Sequence, residues 1–139
     1  MAKESTTPDL VGTVIGLFEA AERGDWDALI SYYAPDAVWE TDDGILDVAG
    51  APAVRALLEE WAGMFEDFAI NVETVVDLGH GIVYTVFRQE GRPAGSSAVV
   101  TERGVMIYEW VDGMIARLIS RQGIDEARVA AQRLAESRE

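Results

Sequence analysis

Apolar residues recur at helical spacing near the start of the chain: Leu10, Val11, Val14, Ile15, Leu17 and Phe18 share one face. Thr7-Pro8-Asp9 reads as the start of this helix, with Thr7 as the cap and Pro8 where its missing N–H costs nothing. Gly24 ends it and Asp25 caps a second helix, in which Trp26, Leu29, Ile30 and Tyr33 share a face. Ala34-Pro35-Asp36 breaks that helix. Residues 37–41 then read as a short strand, and 42–50 as a polar, glycine-bounded loop. A third helix is expected over 51–64, with Val54, Leu57, Leu58, Trp61 and the following Phe65 turned inward.

Past Phe65 the period shortens from helical to strand-like. Residues 68–78, 82–89, 97–111 and 114–121 read as four strands. They are joined by Gly79-His80-Gly81, by the looser turn 91–95, and by Asp112-Gly113, a strong hairpin signal. A final amphipathic helix over 125–136 follows Gly123, with Asp125 as its cap. Short turns cannot join parallel neighbours, so the four strands form an antiparallel meander. Three helices before a curved meander make an α+β fold, with helices on one face of the sheet. One domain over residues 1–139 is expected, with 1–7 as a flexible N-terminus.

Composition narrows the function classes. The 139-residue chain is 49% hydrophobic, enough for a real core, and has no uninterrupted apolar run of transmembrane length. It contains no cysteine, which excludes disulfides, thiolate catalysis and cysteine-based metal sites. The formal charge is −14. Residues 1–80 hold 17 acidic and 3 basic side chains, and 81–139 hold 8 of each. Nucleic acid and anionic membranes, which reward clustered Lys and Arg, are therefore not expected partners. The start MAKESTTPDL lacks a basic segment followed by an apolar run, so a cytoplasmic location is expected. His80 is the single histidine and sits between two turn glycines; no metal is expected. A carboxylate-only cation site at Asp42, Asp43 and Asp47 lacks EF-hand spacing. There is no phosphate loop, dinucleotide fingerprint or G-x-S-x-G elbow, so no cofactor is expected.

The segments FEAAERGDWDALISYYAPDAVWE, GAPAVRALLEEW, FEDFAINVETVVDLG and IYEWVDGMIARL, in this order, resemble the nuclear transport factor 2-like superfamily, and within it the SnoaL-like proteins. The resemblance implies a cone: a strongly bent antiparallel sheet around the N-terminal helices, with an apolar pocket inside. It implies a homodimer through the outer face of the sheet. It also implies cofactor-independent lyase, isomerase or cyclase chemistry on a small hydrophobic, polyketide- or terpenoid-like molecule, with a non-catalytic small-molecule-binding or structural dimeric domain as the alternative. The ketosteroid isomerase constellation is not carried over: Thr41, Leu17 and Ile107 stand at its base, tyrosine and acid positions. The residues 117–122 contain no carboxylate, which removes the acid expected of the cyclases and epoxide hydrolases.

The remaining candidates for catalysis are Glu109, Arg88 and Asp42. Glu109 lies in the apolar run 105–111. Facing the cavity, it would be a desolvated acid or base; facing outward, it would pair with Arg88 or Arg117. Arg88 offers either a pocket contact to an oxygen or a surface cross-strand pair. Glu40 and Asp42 lie where the cone mouth is expected, as bases or as solvated acids. The ligand contacts are expected from Phe18, Tyr32, Trp39, Trp61, Phe65, Phe87, Ile107 and Gln122, since aromatic walls suit a flat apolar molecule.

Overall fold

The computed structural model describes residues 9–41 and 47–139. The expected flexible stretch 1–7, the Thr7 cap and the candidate Asp42 lie outside them. The elements are α1 (Leu10–Glu22), α2 (Trp26–Ile30), β1 (Tyr33–Glu40), β2 (Asp47–Ala49), α3 (Ala51–Gly63), β3 (Phe65–Asp77), β4 (Ile82–Pro93), β5 (Val100–Val111), β6 (Met114–Arg121) and α4 (Ile124–Ser137). Helices packed on a curled, unclosed sheet give the expected α+β architecture.

Local chemistry accounts for most boundaries. The Asp9 carboxylate accepts the Gly12 N–H at 3.0 Å and caps α1. Asp25 caps α2 as expected, accepting the Ala28 N–H at 3.2 Å. Asp125 does not cap α4. Gly123 holds that position, and Asp125 and Glu126 lie in the first turn, where their charge meets the positive end of the helix dipole. The second helix ends earlier than expected, at Ile30, so Tyr33 belongs to β1, which runs on through residues 34–36. Pro35 falls where the β1 ladder shifts register, between Tyr33 and Val38, so its missing N–H is tolerated. Residues 47–49 are not loop but β2, paired antiparallel to β1 with Trp39 opposite Val48.

The sheet order is β2-β1-β6-β5-β4-β3. The meander β3–β6 is antiparallel as expected. The β1–β6 pair is parallel, so the whole sheet is mixed rather than purely antiparallel. Asp112 (φ 53°) and Gly113 (φ 80°) both take left-handed backbone in the β5–β6 hairpin. Gly81 (φ 82°) is required twice over: a Cβ there would also collide with the Trp110 carbonyl oxygen.

The two alternations of the central strands bury against different partners. Val83 and Phe87 of β4 and Met106, Tyr108 and Trp110 of β5 face α1, α2 and α3, in a core with Val14, Leu17, Leu29 and Leu58. Ile82, Tyr84 and Val86 of β4, Val105 and Ile107 of β5, and Ile119 of β6 face the opposite side. There they are covered by α4, whose Ala127, Ala131 and Ala135 let the helix approach closely. The Tyr84 hydroxyl donates to the Ile124 carbonyl at 3.1 Å and ties the start of α4 to the sheet. The apolar outer alternation, expected to meet a second subunit, is thus occupied by the chain's own last helix.

Candidate functional site

A cavity of about 380 Å³ opens between α3 and the inner face of the sheet. Its apolar walls are Trp39 of β1, Leu57, Trp61 and Met64 of α3, Phe87 of β4 and Met106 of β5. The spacing of Leu57, Trp61 and Met64 places them along one side of a helix, and the period of two places Phe87 and Gln89 on one side of a strand. Gly104 makes room for this wall. A Cβ at that position would stand 2.8 Å from the tip of the Phe87 ring.

The polar groups of the cavity are few and mostly held in place. The Trp39 indole N–H donates to Ser120 Oγ at 3.0 Å. Gln89 is only 7% exposed; its Nε2 donates to Glu102 Oε1 at 3.0 Å, while its Oε1 is buried with no partner. Two arginines reach the lining, and both are engaged elsewhere. Arg103 grips Glu73 with Nη2 at 2.6 Å and Nε at 3.0 Å. Arg121 Nη1 donates to the carbonyls of Thr41 and Ser120, at 3.2 and 2.8 Å, and its Nη2 lies 3.9 Å from Glu40. The other charges in the lining are the exposed carboxylates Glu60 and Glu102.

Met106 and Trp61 also border a small inner void of about 30 Å³ that Tyr33 and Tyr108 line. Burial pushes the pKa of Tyr33 upward, and burial followed by the neighbouring Tyr33 does the same for Tyr108. Both phenols are therefore protonated at neutral pH and cannot serve as bases.

Of the residues expected to line a pocket, Trp39, Trp61, Phe87 and Gln122 come together in this cavity. Ile107 does not: it is 1% exposed beneath α4, on the alternation opposite to the cavity. Phe18 packs in the core between Phe87 and Tyr108, with ring centroids 5.7 and 6.5 Å away, and borders a surface recess along α1 and β3. Tyr32 is 42% exposed and meets Trp110 edge-on near α1. Phe65 packs on Phe68 beside the cavity, in a crevice it shares with Gln89 and Glu102.

The catalytic candidates fare differently. Glu109 is on the outer alternation, opposite Ile82 and Arg117. Its carboxylate is held by Arg117 Nε at 2.9 Å and Arg138 Nη1 at 3.5 Å. The cavity-facing reading of Glu109 is thereby corrected to the paired one, with Arg138 added. Burial opposes the charge on Arg117, but its hydrogen bond to Glu40 and the field of Glu109 outweigh this and raise its pKa. Arg88 is exposed on the same outer alternation, opposite Asn71 and Arg103, and does not line the cavity.

Gln89, Glu102 and Ser120 were not expected at the site. Gln89 carried a signal, as an amide two residues beyond Phe87 in an apolar run. Glu102 carried none, because its place opposite Gln89 depends on the register set by the β4–β5 connection.

The SnoaL-like domain profile matches residues 14–118. Among solved structures, a Jannaschia sp. CCS1 protein assigned to the SnoaL-like polyketide cyclases aligns at 19% identity and TM-score 0.73, over 95% of this chain and 98% of its own. TerC, co-crystallised with polyporic acid, aligns at 12% identity and TM-score 0.70, over 88% and 97%. A Catenulispora acidiphila protein with a ketosteroid isomerase-like fold, in complex with trimethylamine, aligns at 14% identity and TM-score 0.68, over 83% and 85%. No curated protein matches the chain significantly.

Proposed function

Because the chain belongs to the SnoaL-like domain family, we propose that it binds a small hydrophobic molecule in the cavity between α3 and the sheet. The observation that carries this reading is the wall formed by Trp39, Trp61 and Phe87 around about 380 Å³, a volume suited to one small ligand. Trp39 is braced by Ser120 and Phe87 by its neighbours, so little side-chain freedom is lost on binding. Neighbours of this fold hold ligands as different as polyporic acid and trimethylamine, so the lining rather than the fold must select the molecule.

A second reading is cofactor-independent isomerase, lyase or cyclase chemistry on the bound molecule. It is favoured by one group, Glu102, a carboxylate in the lining whose orientation is set by Gln89. As the acid–base residue it would shuttle a proton beside a carbonyl. The loss of turnover in Glu102→Gln with ligand affinity retained is the result expected of that reading.

The binding reading is tested by tryptophan fluorescence and thermal unfolding with polyporic acid and a panel of flat hydrophobic molecules. A ligand at a hundredfold excess over its Kd raises stability by about 2.7 kcal/mol. Saturable quenching that disappears in Trp61→Ala is expected. The absence of both quenching and thermal shift across the panel would sink the proposal.

A further inference from the structure

The charges around the cavity are not balanced. The two cations of its lining are already paired with carboxylates that lie outside the lining, Arg103 with Glu73 and Arg121 with Glu40. Arg121 is further committed to two main-chain carbonyls. Two carboxylates of the lining remain. Glu102 receives only the neutral amide N–H of Gln89, and among the described residues no cation pairs with Glu60 or Glu102. Beside them stand the aromatic rings of Trp39, Trp61 and Phe87, whose π-systems can attract positive charge. Gln89 adds an acceptor, Oε1, that is buried and has no donor in the protein. Aromatic rings, uncompensated carboxylates and an unused acceptor all favour one kind of guest, a cation that donates hydrogen bonds. They disfavour an anion, which would meet like charge at Glu60 and Glu102 without a free guanidinium to offset it.

We infer that the ligand of this cavity is a hydrophobic amine, bound as its ammonium cation between the aromatic wall and the Glu60 and Glu102 carboxylates. The inference rests on the binding reading proposed above and adds the charge of the ligand to it.

Three isosteric probes separate the two. 2-Naphthylmethylamine is a cation at pH 7, 2-naphthylmethanol is a neutral donor and 2-naphthoate is an anion, all on one ring system. Titrated calorimetrically against the protein at low salt, the amine is expected to bind about tenfold more tightly than the alcohol, with the carboxylate weakest. In a Glu60→Gln, Glu102→Gln double variant the amine and alcohol should bind within about threefold of each other. Both positions are exposed, so this variant should keep its fold, which thermal unfolding verifies. Equal binding of amine and alcohol to the wild-type protein, tighter binding of the carboxylate, or an amine preference that survives in the double variant would each overturn the inference and leave the binding reading standing. Failure of all three probes to bind would overturn both.

Discussion

Arg117 and Glu109 face each other across the β5–β6 ladder, and the guanidinium Nε lies 2.9 Å from the carboxylate on the side of the sheet away from the cavity. Arg117 also holds Glu40 of β1 at 2.7 Å, so one cation joins three strands. Arg138, at the end of α4, reaches the same Glu109. The pair is a fastening between sheet and helix, and neither of its residues lines the cavity.

Substitution at this pair should therefore move stability and not binding. Glu109→Gln is expected to cost about 1 kcal/mol and Arg117→Ala about 2 kcal/mol, since the latter leaves two carboxylates without their shared partner. Urea unfolding measures the cost. Unchanged probe affinity in Glu109→Gln is the expected companion result; a lost affinity would return Glu109 to the site.

Gly104 controls the shape of the cavity wall. In Gly104→Ala the new methyl group would meet the Phe87 ring at 2.8 Å, and the ring must move. A loss of about 1–3 kcal/mol in stability from overpacking is expected. Ligand affinity should change as well, because Phe87 lines the cavity. Fluorescence titration beside chemical unfolding separates the two effects, and an unaltered affinity would mean that Phe87 does not contact the ligand.

Ile107 belongs to the second core. Ile107→Ala should cost about 2–4 kcal/mol, the range for a fully buried aliphatic side chain. Met64→Ala, at a position 54% exposed in the cavity lining, should cost less than about 1 kcal/mol. Binding should respond in the opposite order, being reduced in Met64→Ala and intact in Ile107→Ala below its unfolding temperature.

Buried phenols make the fold sensitive to alkali. The folded pKa values of Tyr33 and Tyr108 lie above the ordinary 10.0, chiefly through burial. Above pH 10 the unfolded chain releases protons that the native chain still holds, so stability must fall as pH rises. The stabilising contribution is complete below pH 10 and declines above it, by up to about 1.4 kcal/mol per pH unit for each phenol. Urea midpoints from pH 8 to 11 should show the decline, and Tyr108→Phe should lessen its slope. An equal slope in that variant would exclude Tyr108 as a source.

Much of this was legible along the chain because the signals are local. Asp25 lies one residue before the helix it caps, and Asp112-Gly113 supplies the two left-handed residues its hairpin needs. The helical spacing of Leu57 and Trp61 put both on one side of α3, and both line the cavity. Trp39 and Phe87 were legible as aromatic side chains on strands expected to build the wall, although the inward side of β4, buried from Ile82 to Phe87, was not.

What the tertiary structure decided is which side each central strand turns inward. From Val105 to Tyr108 every side chain is buried, so the alternation of polar and apolar residues that reveals a strand's inner face is missing. A one-residue difference in that assignment exchanges Ile107 for Met106 and moves Glu109 from the cavity to the outer face. The ambiguity has a single physical cause: α4 lies on the outer face and makes it as dry as the inner one. The sequence by itself determined the order of the helices and of the four-strand meander and the aromatic character of the wall, but not β2. Only the folded sheet, with helices buried against both faces, determined that Gln89, Glu102 and Ser120 join the polar groups of the cavity.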